Sequence, residues 1–292
     1  MSLVKSVVLA GAGNLGGFVL EELINSGFDV TVFSRPSSDK QFPPGVKVNK
    51  VDYSDESAVA DAVKGADAVV STLTALDSQA NLIRAAKKAG VKLFVPGEFG
   101  NPSTKLTPED HPALHGKKKA QDLLKEVQLP AILVFTGPFL DTVFRPYIGF
   151  DFQNGTVRLI GKGETPVSLT SRRDTARFLA HHLANLSSLP SPGSPSVLRL
   201  EGDRSTFKDA AELYARLHPG TKLSYSYVSL DEADKIAKDV KADFGKSLVT
   251  YLLTTWERGA TTDEGEELSN GEWPEWKPLK LEEHFRSLSS KL

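Results

Sequence analysis

The 292-residue chain carries 35 basic and 37 acidic side chains, a formal net charge of −2, and 40% hydrophobic residues. That balance argues against a sequence-independent nucleic-acid binder and fits a soluble globular protein with a sizeable core. It contains no cysteine, which excludes disulfides, thiolate metal centres, iron–sulfur clusters and a thiol nucleophile.

The first 136 residues alternate strand and helix signals. An apolar run from Leu3 to Ala10 is followed by a glycine-rich turn and a helical pattern over Asn14–Asn25. Strands are expected at Asp29–Ser34 and Val46–Val51, a helix at Asp55–Lys64, and a buried-type strand at Ala66–Thr72. A helix over Leu76–Ala89, a strand over Val91–Pro96, a helix over Pro112–Gln128 and a sixth strand over Ala131–Thr136 complete the series. Strands alternating with helices of about 10–15 residues predict a parallel sheet with crossover helices, a Rossmann-type doubly wound α/β fold. The fully apolar runs AVVST and AILVF suit strands covered on both faces.

After Gly137-Pro138 the rhythm changes. A strand is expected at Val157–Ile160, and a helix at Ser171–Asn185 with Thr170 or Ser171 as cap. A strand at Val197–Glu201 and a helix at Ser205–Leu217 come next. Leu223–Val228 alternates apolar and polar residues, and Ser229 caps the following helix. Thr261–Glu275 holds six acidic residues and no basic one, which predicts a solvated loop. A short helix over Leu281–Leu288 ends the chain. The expected division is a dinucleotide-binding domain over 1–150 and a smaller, mixed α/β substrate-binding part over 151–292, some of whose elements return to the sheet. Met1–Lys5 lacks the pattern of a signal peptide, and no apolar stretch approaches the ~18 residues of a membrane span. A cytoplasmic protein, monomeric or homodimeric, is the expectation.

Gly11-Ala12-Gly13-Asn14-Leu15-Gly16 follows a predicted strand and opens a predicted helix. In that context Gly11 permits the tight turn, Gly13 admits a pyrophosphate close to the backbone, and Gly16 lets the helix lie against the strand. The helix N-terminus, with Asn14 and Leu15, presents N–H groups to the phosphates. The end of the second strand reads Ser34-Arg35-Pro36-Ser37-Ser38, with no acid for a ribose 2′-hydroxyl. Arg35 can fork onto a 2′-phosphate, Ser34 can donate a hydrogen bond and Lys40 can add charge, which selects NADP(H) over NAD(H). Thr72 and Leu73, at the end of the fourth strand, are expected beside the pyrophosphate and ribose. Val51, Asp52 and Tyr53, at the end of the third, are candidates to flank adenine.

None of the tyrosines is followed four residues later by lysine, so the common Tyr-x-x-x-Lys pair of short-chain dehydrogenases is absent. No Gly-x-Ser-x-Gly elbow is present, and no histidine pair has a third ligand at metal-like spacing, so neither hydrolase chemistry nor a metal is expected. His115 remains a minor candidate for proton transfer.

Several segments together resemble the NmrA-like, isoflavone-reductase-like group of atypical short-chain dehydrogenases, which includes phenylcoumaran benzylic ether reductases and pinoresinol–lariciresinol reductases. They are GAGNLGG at Gly11–Gly17, the strand-end Arg35, VVSTL at Val69–Leu73, FVPGEFGNP at Phe94–Pro102, and Lys117–Gln121 ahead of LPAILV. The resemblance continues through RLEGDRSTFKDAAEL and the terminal PLKLEEHF and covers nearly the whole chain. It implies that Lys117 takes the place of the functional lysine, acting as general acid or base beside nicotinamide or holding its ribose. It also implies that Pro96, Gly97, Glu98 and Phe99 line the nicotinamide end and that Pro138 belongs to the segment closing over it. Glu98 is read equally as a structural carboxylate. Gly97 stands where the family has serine, which removes a hydroxyl from the site. Phe99, Phe139, Phe144 and Tyr147 are the aromatic candidates for a substrate wall, with core packing as the alternative for the Phe144 cluster. The function implied is NADPH-dependent reduction of small aromatic or phenylpropanoid-like compounds. The alternative is a non-catalytic NADP(H) sensor with a protein partner, as in the regulatory branch of the group.

Overall fold

Alternation along β1 (Ser6–Ala10) sets the layers of the molecule. Val7 and Leu9 face one apolar cluster and Val8 and Ala10 face another, so the strand is covered on both sides. The structure, a computed structural model, describes residues 3–73, 76–261 and 267–289. β1 pairs in parallel with β2 (Asp29–Ser34) on one side and β4 (Ala68–Ser71) on the other. β3 (Lys47–Lys50) and β5 (Leu93–Val95) extend the sheet to the order β3-β2-β1-β4-β5. A parallel bridge between Phe94 and Ala131 joins β5 to β6 (Ile132–Phe135), and β10 (Ser196–Arg199) pairs in parallel with β6.

α1 (Gly16–Asn25) and α6 (Arg172–Ala184) cover one face. α2 (Glu56–Ala62), α3 (Leu76–Lys88) and α4 (His115–Glu126) cover the other. The doubly wound α/β fold is therefore the one observed. Each fully buried Leu, Ile, Val or Phe of these layers contributes about 1.5–3 kcal/mol relative to exposure. Strand order reverses at β1, where the chain crosses to β2 on one side and β4 on the other, and the crevice at their carboxyl ends is the place for a ligand.

The remaining elements gather around a third apolar cluster. They include α5 (Leu140–Val143), β7 (Phe150–Asp151), β8 (Thr156–Ile160) and β9 (Val167–Leu169). After them come β11 (Asp203–Ser205), α7 (Phe207–Leu217), β12 (Ser224–Val228) and α8 (Leu230–Lys238). α9 (Phe244–Glu257) and α10 (Leu281–Ser289) end the series. α5, β7, β9, β11 and α9 have no counterpart among the sequence expectations. Helix starts obey their caps, since Ser171 accepts from the Asp174 N–H and Ser229 from the Glu232 N–H.

The acidic segment is solvated as expected in its described part, where Glu267, Glu272 and Glu275 are exposed. Residues 262–266 of it lie outside the described residues. In the rest, Trp273 stacks on His181 at 4.0 Å and Glu272 meets His182 at 2.9 Å, while Trp276, just beyond the segment, is buried against Phe178 of α6. The two rings anchor this end of the loop on α6. No helix among the described residues is long and apolar enough to cross a membrane.

Candidate active site

The glycine turn joins β1 to α1 at the crevice. Gly11 has a φ of +87°, and a Cβ on Gly16 would stand 2.2 Å from the Gly11 carbonyl oxygen. Only glycine permits that approach of helix to strand. The Thr72 hydroxyl donates to the same carbonyl at 2.7 Å. The N-cap position is Leu15, which offers no side-chain acceptor to the helix start. The N–H groups of Gly13, Asn14 and Leu15 have no partner among the described residues. Open space lies over Gly13. Unbonded N–H groups at a helix N-terminus under open space fit a pyrophosphate.

The strand-end cations gather beside this turn. Arg35 is exposed, and its carbonyl accepts from the Ser38 N–H at 3.0 Å, which makes the Arg35–Ser38 segment a tight turn. Ser34 is buried. The Lys40 ammonium donates to the Ala12 carbonyl of the glycine turn, and its charge lies 5.9 Å from the Phe42 ring centroid. Lys50 donates to the Ser38 carbonyl and was missed in the sequence. Its signal is register, because Lys50 of β3 stands opposite Ser34 of β2. Arg35 thus starts one turn, Lys50 holds the end of that turn and Lys40 reaches the neighbouring glycine turn, a set of cations that fits a 2′-phosphate. Tyr53 is not at this surface. Its ring packs in the core under α2 and α3, and its hydroxyl is buried without a partner, which pushes its pKa up. It is therefore no candidate to flank adenine in this arrangement.

Leu73 links the glycine turn to the 96–99 loop. Its side chain lies against Gly11, and its carbonyl oxygen would be 2.8 Å from a Cβ on Gly97. The serine that the resemblance leads one to expect at Gly97 cannot be added without moving backbone. The Gly97 N–H donates to the buried Gln79 side chain at 2.7 Å, and Pro96 is buried beside it. Phe99 has a φ of +27°, a strained value for an aromatic residue. The strain is held in place because the Gly100 carbonyl accepts from Thr136 and Gly137 at the end of β6.

Glu98 is 3% exposed. Its carboxylate accepts from Ser103 at 2.6 Å and from Gln121 at 2.8 Å, side chains rather than loop N–H groups. Lys117, in the first turn of α4, donates to the Glu98 carbonyl at 2.5 Å and lies 3.6 Å from its carboxylate. The Lys117 side chain is 18% exposed. Burial pulls its pKa below the ordinary lysine value, opposed by the Glu98 charge and hydrogen bond. Lys118 instead pairs with Asp122 at the surface. His115 is committed elsewhere, since its Nε2–H donates to the Asp110 carbonyl at 2.8 Å.

Lys117 opens onto a cavity of about 410 Å³. Three segments distant in sequence build it: residues 99–117, Gly137–Phe139, and the C-terminal half of α9 with Ala260. Phe99, Pro138 and Phe139 supply an apolar wall near Lys117. Tyr251, Leu252, Thr255 and Trp256 of α9 supply the wall that the sequence reading missed. The Trp256 indole donates to Asn101 Oδ1 at 2.7 Å and fastens α9 to the loop that carries Phe99. A volume in this range suits a small organic molecule.

Two of the aromatic candidates are not on the cavity. Phe144 packs among Phe150, Phe152, Phe207 and Phe285, so its ring is spent on the third core. Tyr147 is 66% exposed on the surface. Both follow α5, which turns the chain away from the crevice after Phe139. Among the described residues no group of three potential metal ligands occurs.

The second half of the chain also reaches the glycine turn. Arg172, at the start of α6, is paired with Asp141 at 2.7 Å, and its guanidinium lies 3.5 Å from the Asn14 carbonyl.

A model of the NmrA-like family matches residues 4–284. The chain belongs to the NmrA-like family. It is 32% identical over 246 residues to oxidoreductase aprR of Aspergillus flavus, which covers 80% of each chain. It is 27% identical over 206 residues to the bifunctional pinoresinol-lariciresinol reductase of Linum album, covering 60% of this chain and 61% of that one. The solved binary complex of leucoanthocyanidin reductase with NADPH from Vitis vinifera superposes with a TM-score of 0.81 at 19% identity. That superposition covers 97% of this chain and 99% of the other. This NmrA-like chain therefore shares its fold with reductases along its whole length.

Proposed function

We propose that this NmrA-like protein is an NADPH-dependent reductase of small aromatic substrates, with Lys117 as the proton donor. The observation that carries the reading is the meeting of a partly buried lysine, an apolar wall and a cavity of about 410 Å³ on the loop that Leu73 links to the glycine turn. Oxidoreductase and reductase names among the relatives support it.

Gly11, Gly13, Asn14, Leu15 and Gly16 would hold the pyrophosphate through backbone N–H groups, with Thr72 and Leu73 alongside. Arg35, Lys40 and Lys50 would take the 2′-phosphate, and Ser34 would support their turn. Pro96, Gly97, Glu98, Phe99 and Pro138 would border the nicotinamide. When bound, NADPH would supply the hydride for an electrophilic carbon of the substrate. Lys117 then gives a proton to the substrate oxygen on which negative charge develops, and solvent returns a proton to the amine. Its lowered pKa makes it a stronger acid than an ordinary ammonium, and Glu98 orients it through the main-chain carbonyl. Phe99 and Phe139 exclude water, which strengthens that electrostatic interaction. Because the protonated amine is the active form, the rate falls as pH rises through the lowered Lys117 value.

The test is NADPH consumption, followed by absorbance, against a panel of aromatic ketones, enones and benzylic ethers. Turnover of one class supports a reductase. Tight NADPH binding with no turnover on the panel supports the sensor reading instead.

A further inference from the structure

The cavity is polar in one direction. At the Lys117 end the available groups are donors. Lys117 Nζ is an ammonium, and a Cβ on Gly100 would lie 3.5 Å from it, so this end is the Phe99–Asn101 loop. Asn101 is oriented by chemistry, because the Trp256 indole can only donate and so must face Oδ1. The amide NH2 of Asn101 is left as a donor.

The α9 wall is the reverse. The Tyr251 hydroxyl spends its single hydrogen on Asp110 Oδ1 at 2.5 Å. The Asp110 carboxylate also accepts from the Thr107 N–H at 2.6 Å and the Thr107 hydroxyl at 3.1 Å. These bonds hold its pKa below the usual carboxylate range, against the opposing effect of burial. The Thr255 hydroxyl gives its hydrogen to the Leu252 carbonyl at 2.8 Å. Tyr251, Asp110 and Thr255 all line the cavity, and each can only accept from a ligand. Donation to a carboxylate also polarises the Tyr251 oxygen and makes it a better acceptor. Tyr251 lies five residues before Trp256, about 7.5 Å along the helix axis. The acceptor pair is thus set apart from the Trp256–Asn101 tie beside Lys117.

We infer that Tyr251 and Asp110 are specificity-determining residues that select a substrate presenting a hydrogen-bond donor at the end away from the reacting carbon. An ether at that position offers no hydrogen. The inference rests on the reductase reading for which end reacts, but the selectivity itself is a matter of binding.

The experiment titrates 4-hydroxybenzylideneacetone and its methyl ether into the full-length protein with NADP+, following Trp fluorescence. Wild type, Tyr251→Phe and Asp110→Asn are compared, with thermal melts to establish folding. The phenol is expected to bind wild type at least tenfold more tightly than the ether, since an unmatched polar site rejects the analogue lacking the hydrogen. Tyr251→Phe is expected to bring the two ligands within about twofold while leaving the ether unchanged, and Asp110→Asn to lower the ratio severalfold. A wild-type ratio near one, no phenol binding up to millimolar concentration, or equal weakening of both ligands by Tyr251→Phe overturns the proposal. The last result would make the pair a brace for α9 only. NADPH consumption is read separately. Hydroxyl selectivity without turnover rejects the reductase reading and retains this one.

Discussion

The glycine turn and the cavity wall are built in opposite ways. The turn is made of consecutive residues and acts through backbone, with Gly11, Gly13 and Gly16 setting a shape that any phosphate can use. The cavity is made of side chains from residues 99–117, 137–139 and 251–260, and its shape exists only after the third core has folded. The first region is therefore general and the second particular. Binding of the dinucleotide and choice of substrate can change independently, and substitutions should separate them.

Gly16→Val should have the largest effect. Its side chain would collide with the Gly11 carbonyl, which sits 2.2 Å from the Cβ position. A loss of about 3 kcal/mol of stability is expected, together with loss of NADPH binding, read by thermal melting and fluorescence titration. Trp256→Phe acts at the other region. It removes the donor to Asn101 while keeping an apolar ring, so KM for substrate should rise severalfold, since a half-buried acceptor is left unpaired. NADPH affinity should stay within twofold. If both affinities fall together, the two regions are not separable and the comparison fails.

Arg35→Ala sharpens the first region alone. With Lys40 and Lys50 still present, the preference for NADPH over NADH should shrink by roughly tenfold rather than vanish, the worth of one charge-assisted contact. Parallel titrations of the two cofactors read the ratio.

The smallest effect concerns how α9 is held. His111 is buried, accepts the Ala113 N–H on Nδ1 at 3.2 Å and lies 3.1 Å from Ser247 of α9 through Nε2. The Ser247 hydroxyl donates to the Ala237 carbonyl at 2.6 Å, so Nε2 carries the hydrogen and the ring is neutral. Burial lowers the His111 pKa, with the His115 charge adding to it. The unfolded chain binds the proton more readily, so this contribution is complete above about pH 6.5 and is lost as pH falls from there toward the folded value. The melting temperature of wild type should decline over that window, and less steeply in His111→Gln.

The β1–turn–α1 unit and the alternating strands were legible because their signals are local: apolar runs, glycines and caps within a few residues. Lys117 was singled out only through the family resemblance of the segment ahead of LPAILV, and the structure sets it against Glu98 on the cavity. α9 was not legible, because Val249, Thr250, Thr254 and Thr255 give it weak helix propensity and its face is fixed by a partner more than a hundred residues away. Its one local signal is Asp243, whose carboxylate caps the helix at the Lys246 N–H. Phe144 was open between the substrate wall and core packing. Aromatic content near Phe139 marked it for the substrate wall, but the turn of α5 sends its ring into the third core. Composition announces that aromatic rings will be buried, and only the path of the chain decides against what.

Under the proposed function Lys117 would do the chemistry while the glycine turn binds the dinucleotide. The most direct test of that division is Lys117→Met, measured for NADPH affinity and for kcat on a substrate found in the panel. The account predicts an NADPH Kd within twofold of wild type and a kcat lower by about 10²–10⁴-fold, the range for loss of a general acid. A kcat that is unchanged, or an NADPH Kd lost in step with it, would contradict the account.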